Sequence, residues 1–222
     1  MQINIRQQLR NRIENPEKTI RFFISFYIIG TIGFLLPFTF PLFIKLIPFV
    51  LLFNFIALML FHPADKKVKT ILLFSAIFLT GFFIEVTGVN HKIIFGEYWY
   101  GESLGPKLFF TPLMIGINWL FLVYTTSSAF ENLKVNPIVK IVLSSSAMVV
   151  YDLVLEQVAP KMDMWYWKDG LVPFRNFVAW FIIALLLNTL IKLFHIETKN
   201  KLAIPLLVCQ FLFFLILSLL LH

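Results

Sequence analysis

Charge is what this chain has least of. Only 14% of its 222 residues are Asp, Glu, Lys or Arg, while 59% are hydrophobic. A soluble domain is roughly a quarter charged, so a water-exposed globular surface is excluded. The single cysteine, Cys209, rules out an intrachain disulfide. The four histidines, His62, His91, His195 and His222, are scattered, with no His-x-x-x-His and no cysteine pair to build a zinc site. Phosphate-loop and dinucleotide glycine patterns are missing. So are the Asp-rich pairs that would hold magnesium around a diphosphate. No metal and no cofactor is therefore expected. The net charge of +7 sits on no soluble basic module, so no nucleic-acid partner is expected either; membrane topology accounts for it.

What is present is hydrocarbon in long runs. A membrane span needs about 20 apolar residues, and the chain offers seven: 20–36, 42–61, 69–88, 110–130, 137–157, 174–195 and 202–221. Open strands leave edge amides unsatisfied in lipid. The predicted fold is therefore all-α: a polytopic integral membrane protein of about seven helices, with a polar segment at 1–19 and one transmembrane domain at 20–222. The polar segment, with Arg6, Arg10 and Arg12, reads as an interfacial helix or a tail. The first apolar run is followed by Pro37-Phe-Thr-Phe-Pro41 rather than a small-residue cleavage site, which predicts a retained anchor. With the N-terminus inside, Lys45, Lys92, Lys107, Lys161, Lys168 and Arg175 lie outside, and the other 13 of the 19 basic residues lie inside. The positive-inside rule thus predicts N-in and C-out. The 27 Phe residues have two compatible readings, lipid-facing surface and the wall of a long apolar groove.

Against this background the few acids stand out. Glu85 ends the third apolar run, with Gly81 and Gly88 on its helical face; Asp152 and Glu156 end the fifth. Each acid is followed by an aromatic loop, Tyr98-Trp99-Tyr100 or Trp165-Tyr166-Trp167. Each loop is followed by a proline seven residues before a tryptophan, Pro112 to Trp119 and Pro173 to Trp180. This order is compatible with a parallel repeat of helices 3–4 and 5–6, and in the N-in topology both stretches meet at one membrane face. Ionisable residues inside spans are costly and usually face a cavity, although Glu85 also reads as an interfacial acid that snorkels to water. Asp152 and Glu156, four apart, share a helix face. Two carboxylates in low dielectric cannot both ionise cheaply, so one should hold its proton near neutral pH and serve as a general acid. The alternative is a pair neutralised by Lys161, Lys168 or Arg175. Asp152 lies deeper and is expected to be the donor, with Glu156 and Glu85 as partners. Asn176 is placed to orient water or an acid. Asn118 lies deeper, and Asn54 and Asn188 read as packing. Tryptophan and tyrosine also form ordinary interface belts, but two aromatic triplets beside acids suit a cavity that stabilises a carbocation.

The set Glu85…Gly88, Phe95-Gly96-x-Tyr98-x-Tyr100, Leu104-Gly105-Pro106, Pro112…Trp119, Asp152-x-x-x-Glu156, Trp165-x-Trp167, Gly170, Pro173, Asn176-Phe177 and Trp180 resembles the membrane carotenoid biosynthesis protein family. The likeness covers about residues 70–190. It departs from the family pattern at Glu156-Gln157, where Asp-Pro is usual, and at Phe174-Arg175, where smaller residues are usual. The family includes carotenoid 1,2-hydratases (bisanhydrobacterioruberin hydratase-like enzymes). The resemblance implies cofactor-free addition of water to the terminal C1=C2 bond of an acyclic carotenoid end, in the cytoplasmic membrane of a bacterium or archaeon. Asp152, Glu156, Glu85 and Asn176 would be catalytic. Phe95, Tyr98, Tyr100, Trp119, Trp165, Trp167, Phe177 and Trp180 would line the substrate. The implied partners are a carotenoid delivered through the bilayer, membrane lipids and other enzymes of the pathway. Two other readings stay open: a terpenoid cyclase or isomerase that protonates without capturing water, and a non-catalytic carotenoid or lipid carrier.

Overall fold

A computed structural model describes residues 16–63 and 67–221. The expectation for Arg6, Arg10 and Arg12, and the positions of Lys66 and His222, lie outside them. Among the described residues seven helices follow in order: α1 (Glu17–Leu35), α2 (Phe40–Leu60), α3 (Lys67–His91), α4 (Met114–Phe130), α5 (Pro137–Leu155), α6 (Phe174–Leu193) and α7 (Ala203–Leu220). Local chemistry sets several of the ends. Glu17 places negative charge at the N-terminus of α1. Asn136 caps α5 by accepting a hydrogen bond from the Ile138 amide at 2.8 Å, with Pro137 in the first turn. Pro173 precedes α6, and its missing N–H costs nothing there.

Six of these helices are long and apolar enough to cross a membrane. The seventh, α4, has 17 residues and is shorter than the sequence implied. Pro112 does not open it. Thr111–Pro112 forms β3, which pairs antiparallel with β2 (Lys107–Leu108), so the helix starts only at Met114. Helices α3 and α5 both arrive at the end of the bundle that carries the aromatic loops, so α4 must run back between them. It is the hub, packing on α2, α3, α5, α6 and α7. Every residue from Trp119 to Ser128 is buried, as expected of a helix apolar on all sides. Small residues allow the close approach of α3 and α4: a Cβ on Gly81 would meet Trp119 Cβ at 2.6 Å, and one on Gly116 would meet Phe78 at 2.7 Å. Thr125 and Thr126 return their hydroxyls to the Phe121 and Leu122 carbonyls at 2.8 and 2.7 Å. Asn54 donates to Tyr27 Oη at 2.6 Å, and Asn188 donates to the Ala184 carbonyl at 2.9 Å and reaches Ser145 of α5 at 3.4 Å. Both serve the packing that the sequence assigned to them.

The aromatic triplets are not loops. Tyr98–Tyr100 forms β1 and Trp165–Trp167 forms β4, and the two pair antiparallel as Tyr98 with Trp167, Trp99 with Tyr166 and Tyr100 with Trp165. This ribbon covers one end of the helices.

Candidate active site

Alternation along a strand sends every second side chain to the same face. In the ribbon that face carries Tyr98, Tyr100, Trp165 and Trp167, all buried, while Trp99 points outward. Beneath it lie the acids. Glu85 is 4% exposed near the end of α3. Its Oε2 accepts from Tyr98 Oη at 2.6 Å and Tyr100 Oη at 2.7 Å, and its Oε1 accepts from Trp119 Nε1 at 3.0 Å. Glu156, the residue after α5, receives Trp165 Nε1 at 2.9 Å and Trp167 Nε1 at 2.8 Å on a single oxygen. Asn176, in the first turn of α6, donates to Asp152 Oδ2 at 2.9 Å and to Glu156 Oε1 at 3.4 Å. Asp152 is fully buried, and its Oδ1 has no partner among the described residues. Indole N–H can only donate, so Glu156 is set up to accept. Burial first, then the neighbouring Glu85, pushes the Tyr98 and Tyr100 hydroxyls well above the usual phenol range, so both stay protonated as donors.

Two glycines make room for this arrangement. A Cβ on Gly88 would sit 2.5 Å from Phe95 Cδ2 and 2.9 Å from Tyr98 Oη, displacing the hydroxyl that binds Glu85. Gly96 has φ +144°, and a Cβ there would meet Pro173 Cγ at 2.8 Å and Trp167 Cζ3 at 2.9 Å. The ribbon is then pinned from outside. Asp163 accepts from the Glu102 amide at 3.0 Å and from Tyr166 Oη at 2.8 Å. Glu97 pairs with Lys92 at 2.5 Å and Lys168 at 2.9 Å, and these two lysines hold its carboxyl below the usual range.

The cations that the sequence offered as partners for the acids go elsewhere. Lys168 takes Glu97, Lys161 donates to the Leu221 carbonyl at 2.5 Å, and Arg175 donates to the Lys92 carbonyl at 3.3 Å. Among the described residues no ion pair involves Glu85, Asp152 or Glu156, and no cluster of His, Cys, Asp or Glu has metal-binding geometry. The three acids surround a cavity of about 30 Å³, room for about one or two water molecules. Trp119 and Trp180 stack face to face at its wall, with ring centroids 4.1 Å apart and planes at 23°.

Of the site residues read from the sequence, Glu85, Phe95, Tyr98, Tyr100, Trp119, Asp152, Glu156, Trp165, Trp167, Asn176 and Trp180 all line this cavity. Phe177 does not. It follows Asn176 directly, so it is turned about 100° around α6, and it is only half-buried. Ile115 and Asn118 line the cavity without having been assigned to it. Asn118 was singled out in the sequence only as lying deeper, and Ile115, about one turn before Trp119, carries no distinctive chemistry. No curated protein and no solved structure matches the chain. Residues 46–222, which contain every residue of the cavity, match the family model described as carotenoid biosynthesis protein. The chain is therefore a membrane-embedded member of the carotenoid biosynthesis protein family.

Proposed function

We propose that this chain is a cofactor-independent carotenoid hydratase, adding water across the terminal C1=C2 bond of an acyclic end group. The observation that carries the reading is the unequal solvation of three buried acids around a water-sized cavity. Glu85 and Glu156 have hydrogen-bond donors on both oxygens, whereas Asp152 has one oxygen without a partner. Donors favour the ionised form of a carboxyl, so of the three acids Asp152 is the best suited to carry a proton, on Oδ1, and Glu156 the best suited to accept one. Asp152 gives that proton to C2, and the double bond's electron pair forms the new C–H bond. The positive charge falls on the tertiary C1. Indole and phenol faces stabilise such a cation by roughly 0.5–2 kcal/mol each, and the Glu85 carboxylate adds attraction. Glu156 takes a proton from the bound water as its oxygen bonds to C1. Asn176 holds Asp152 and Glu156 in register, and return of the proton to Asp152 closes the cycle. The net change is one water added.

The substrate arrives from the bilayer of a bacterial or archaeal cytoplasmic membrane, within reach of other enzymes of the pathway. The test is expression in a host making an acyclic carotene, with membranes incubated in heavy-oxygen water. Labelled hydroxyl on the end group is expected. A cyclised or isomerised product without label would instead mark a protonating enzyme that captures no water, and unchanged pigment would mark a carrier.

A further inference from the structure

The acid cavity does not stand alone. A neck of about 20 Å³ shares Ile115, Asn118 and Trp165 with it. On its other side the neck shares Leu51, Met164, Gln210 and Phe214 with a third cavity of about 240 Å³ between α1, α2 and α7. The walls of this groove are almost entirely hydrocarbon, including Phe34, Phe43 and Phe213. At its rim Ile29 and Leu46 are 62% and 38% exposed, so it opens on the lateral surface of the bundle, where acyl chains lie. At the neck, Tyr151 Oη and Gln210 Oε1 are buried with no hydrogen-bond partner among the described residues.

We propose that this groove binds the unreactive hydrocarbon chain of the acyclic carotenoid, and that the reacting end passes the Tyr151–Gln210 neck to reach the acids. The proposal rests on the hydratase reading. The acid cavity holds about one or two waters, so it has no volume for a polyene. The groove is the adjoining apolar volume, and the neck between it and the site shares wall residues with both. The neck has room for about one water, which Tyr151 and Gln210 would hold until the chain end displaces it.

Gly30 gives the test. It lines the groove, and a Cβ there meets only Phe213 Cε2, at an ordinary 3.6 Å. A side chain at this position therefore enters the groove without striking backbone, whereas Gly81, Gly88 and Gly116 have no such space. For Gly30→Leu, kcat/KM for lycopene should fall by about tenfold or more, the scale of small volume changes in an apolar pocket. A short acyclic terpene with the same dimethyl-substituted end does not extend into the groove, so its hydration should fall by much less than that of lycopene. Equal loss on both substrates, or loss on neither, would overturn the groove assignment. Lycopene retention on the detergent-solubilised protein, read by its visible absorption, is measured in parallel. If the parent protein hydrates neither substrate, the hydratase reading fails. Retention then decides the groove by itself: weakened by Gly30→Leu if the groove holds the chain, unchanged if it does not.

Discussion

Trp165 and Trp167 place two N–H donors on one oxygen of Glu156, and this fixes what the loss of one indole should do. Trp167→Phe keeps an aromatic face and removes one donor. A hydrogen bond to a charged group is worth about 1.5–3 kcal/mol, so we expect a lower Tm in detergent together with slower turnover. Unchanged turnover would show that Glu156 does not need this donor. Gly88→Ala should be worse for activity than its size implies. The added methyl meets Phe95 at 2.5 Å and Tyr98 Oη at 2.9 Å, and overpacking of this kind typically costs about 1–3 kcal/mol. The Tyr98–Glu85 bond is the contact that gives way, so product per folded protein should drop. Full activity in Gly88→Ala would remove Tyr98 from the mechanism. The acids themselves were legible from sequence because each one interrupts hydrocarbon. The orientation of Phe177 was not, because adjacent residues on a helix face different ways and the resemblance supplied no face for it.

The β1–β4 ribbon is the element that turns two aromatic triplets into one lid, and its hold on the site depends on Glu97. Lys92 and Lys168 keep the Glu97 carboxyl below the usual range. With a lowered value in the folded protein, the clamp's contribution is complete above the ordinary carboxylate value of about 4.3. It is lost as pH falls through the lowered value. Protection of the Gly101 amide, whose N–H bonds the Met164 carbonyl across the ribbon at 2.9 Å, should therefore fall in acid when measured against its intrinsic exchange rate at each pH. Glu97→Gln should show faster exchange at neutral pH as well. A ribbon equally protected in Glu97→Gln would show that Asp163 alone pins it. The sequence carried the ingredients of this element but not its pairing. Tyr-Trp-Tyr and Trp-Tyr-Trp alternate with period two, yet they lie 67 residues apart from Tyr98 to Trp165, and nothing local announces that they meet. The late start of α4 was hidden for a different, local reason: the pairing of Thr111–Pro112 with Lys107–Leu108 depends on a turn at Phe109 and Phe110, both with positive φ, which phenylalanine does not announce.

At the scale of the whole molecule, the helices were the most legible feature, because runs of about 20 apolar residues have few alternatives. The groove was not legible, since its residues come from α1, α2, the β4 approach and α7 and look like any lipid-facing surface in sequence. The two readings of the phenylalanines are resolved by position: Phe22, Phe38 and Phe49 are exposed on the bundle's exterior, while Phe34, Phe43 and Phe213 line the groove. The basic bias of the sequence leads us to expect the N-terminus inside and the C-terminus outside, an orientation that requires α4, with 17 residues, to cross as well. Tags at Gln2 and His222 should therefore report opposite sides of the membrane, and finding both on one side would contradict the topology. The central claim, that a buried acid in this cavity protonates a carotenoid end, is tested most directly by Asp152→Asn. This change preserves shape and removes the transferable proton. At matched protein level in a host making an acyclic carotene, the hydroxylated end group should fall by about 10²–10⁴-fold, the usual cost of losing a general acid, with pigment still retained by the protein. Near-normal hydroxylation by Asp152→Asn would contradict the account.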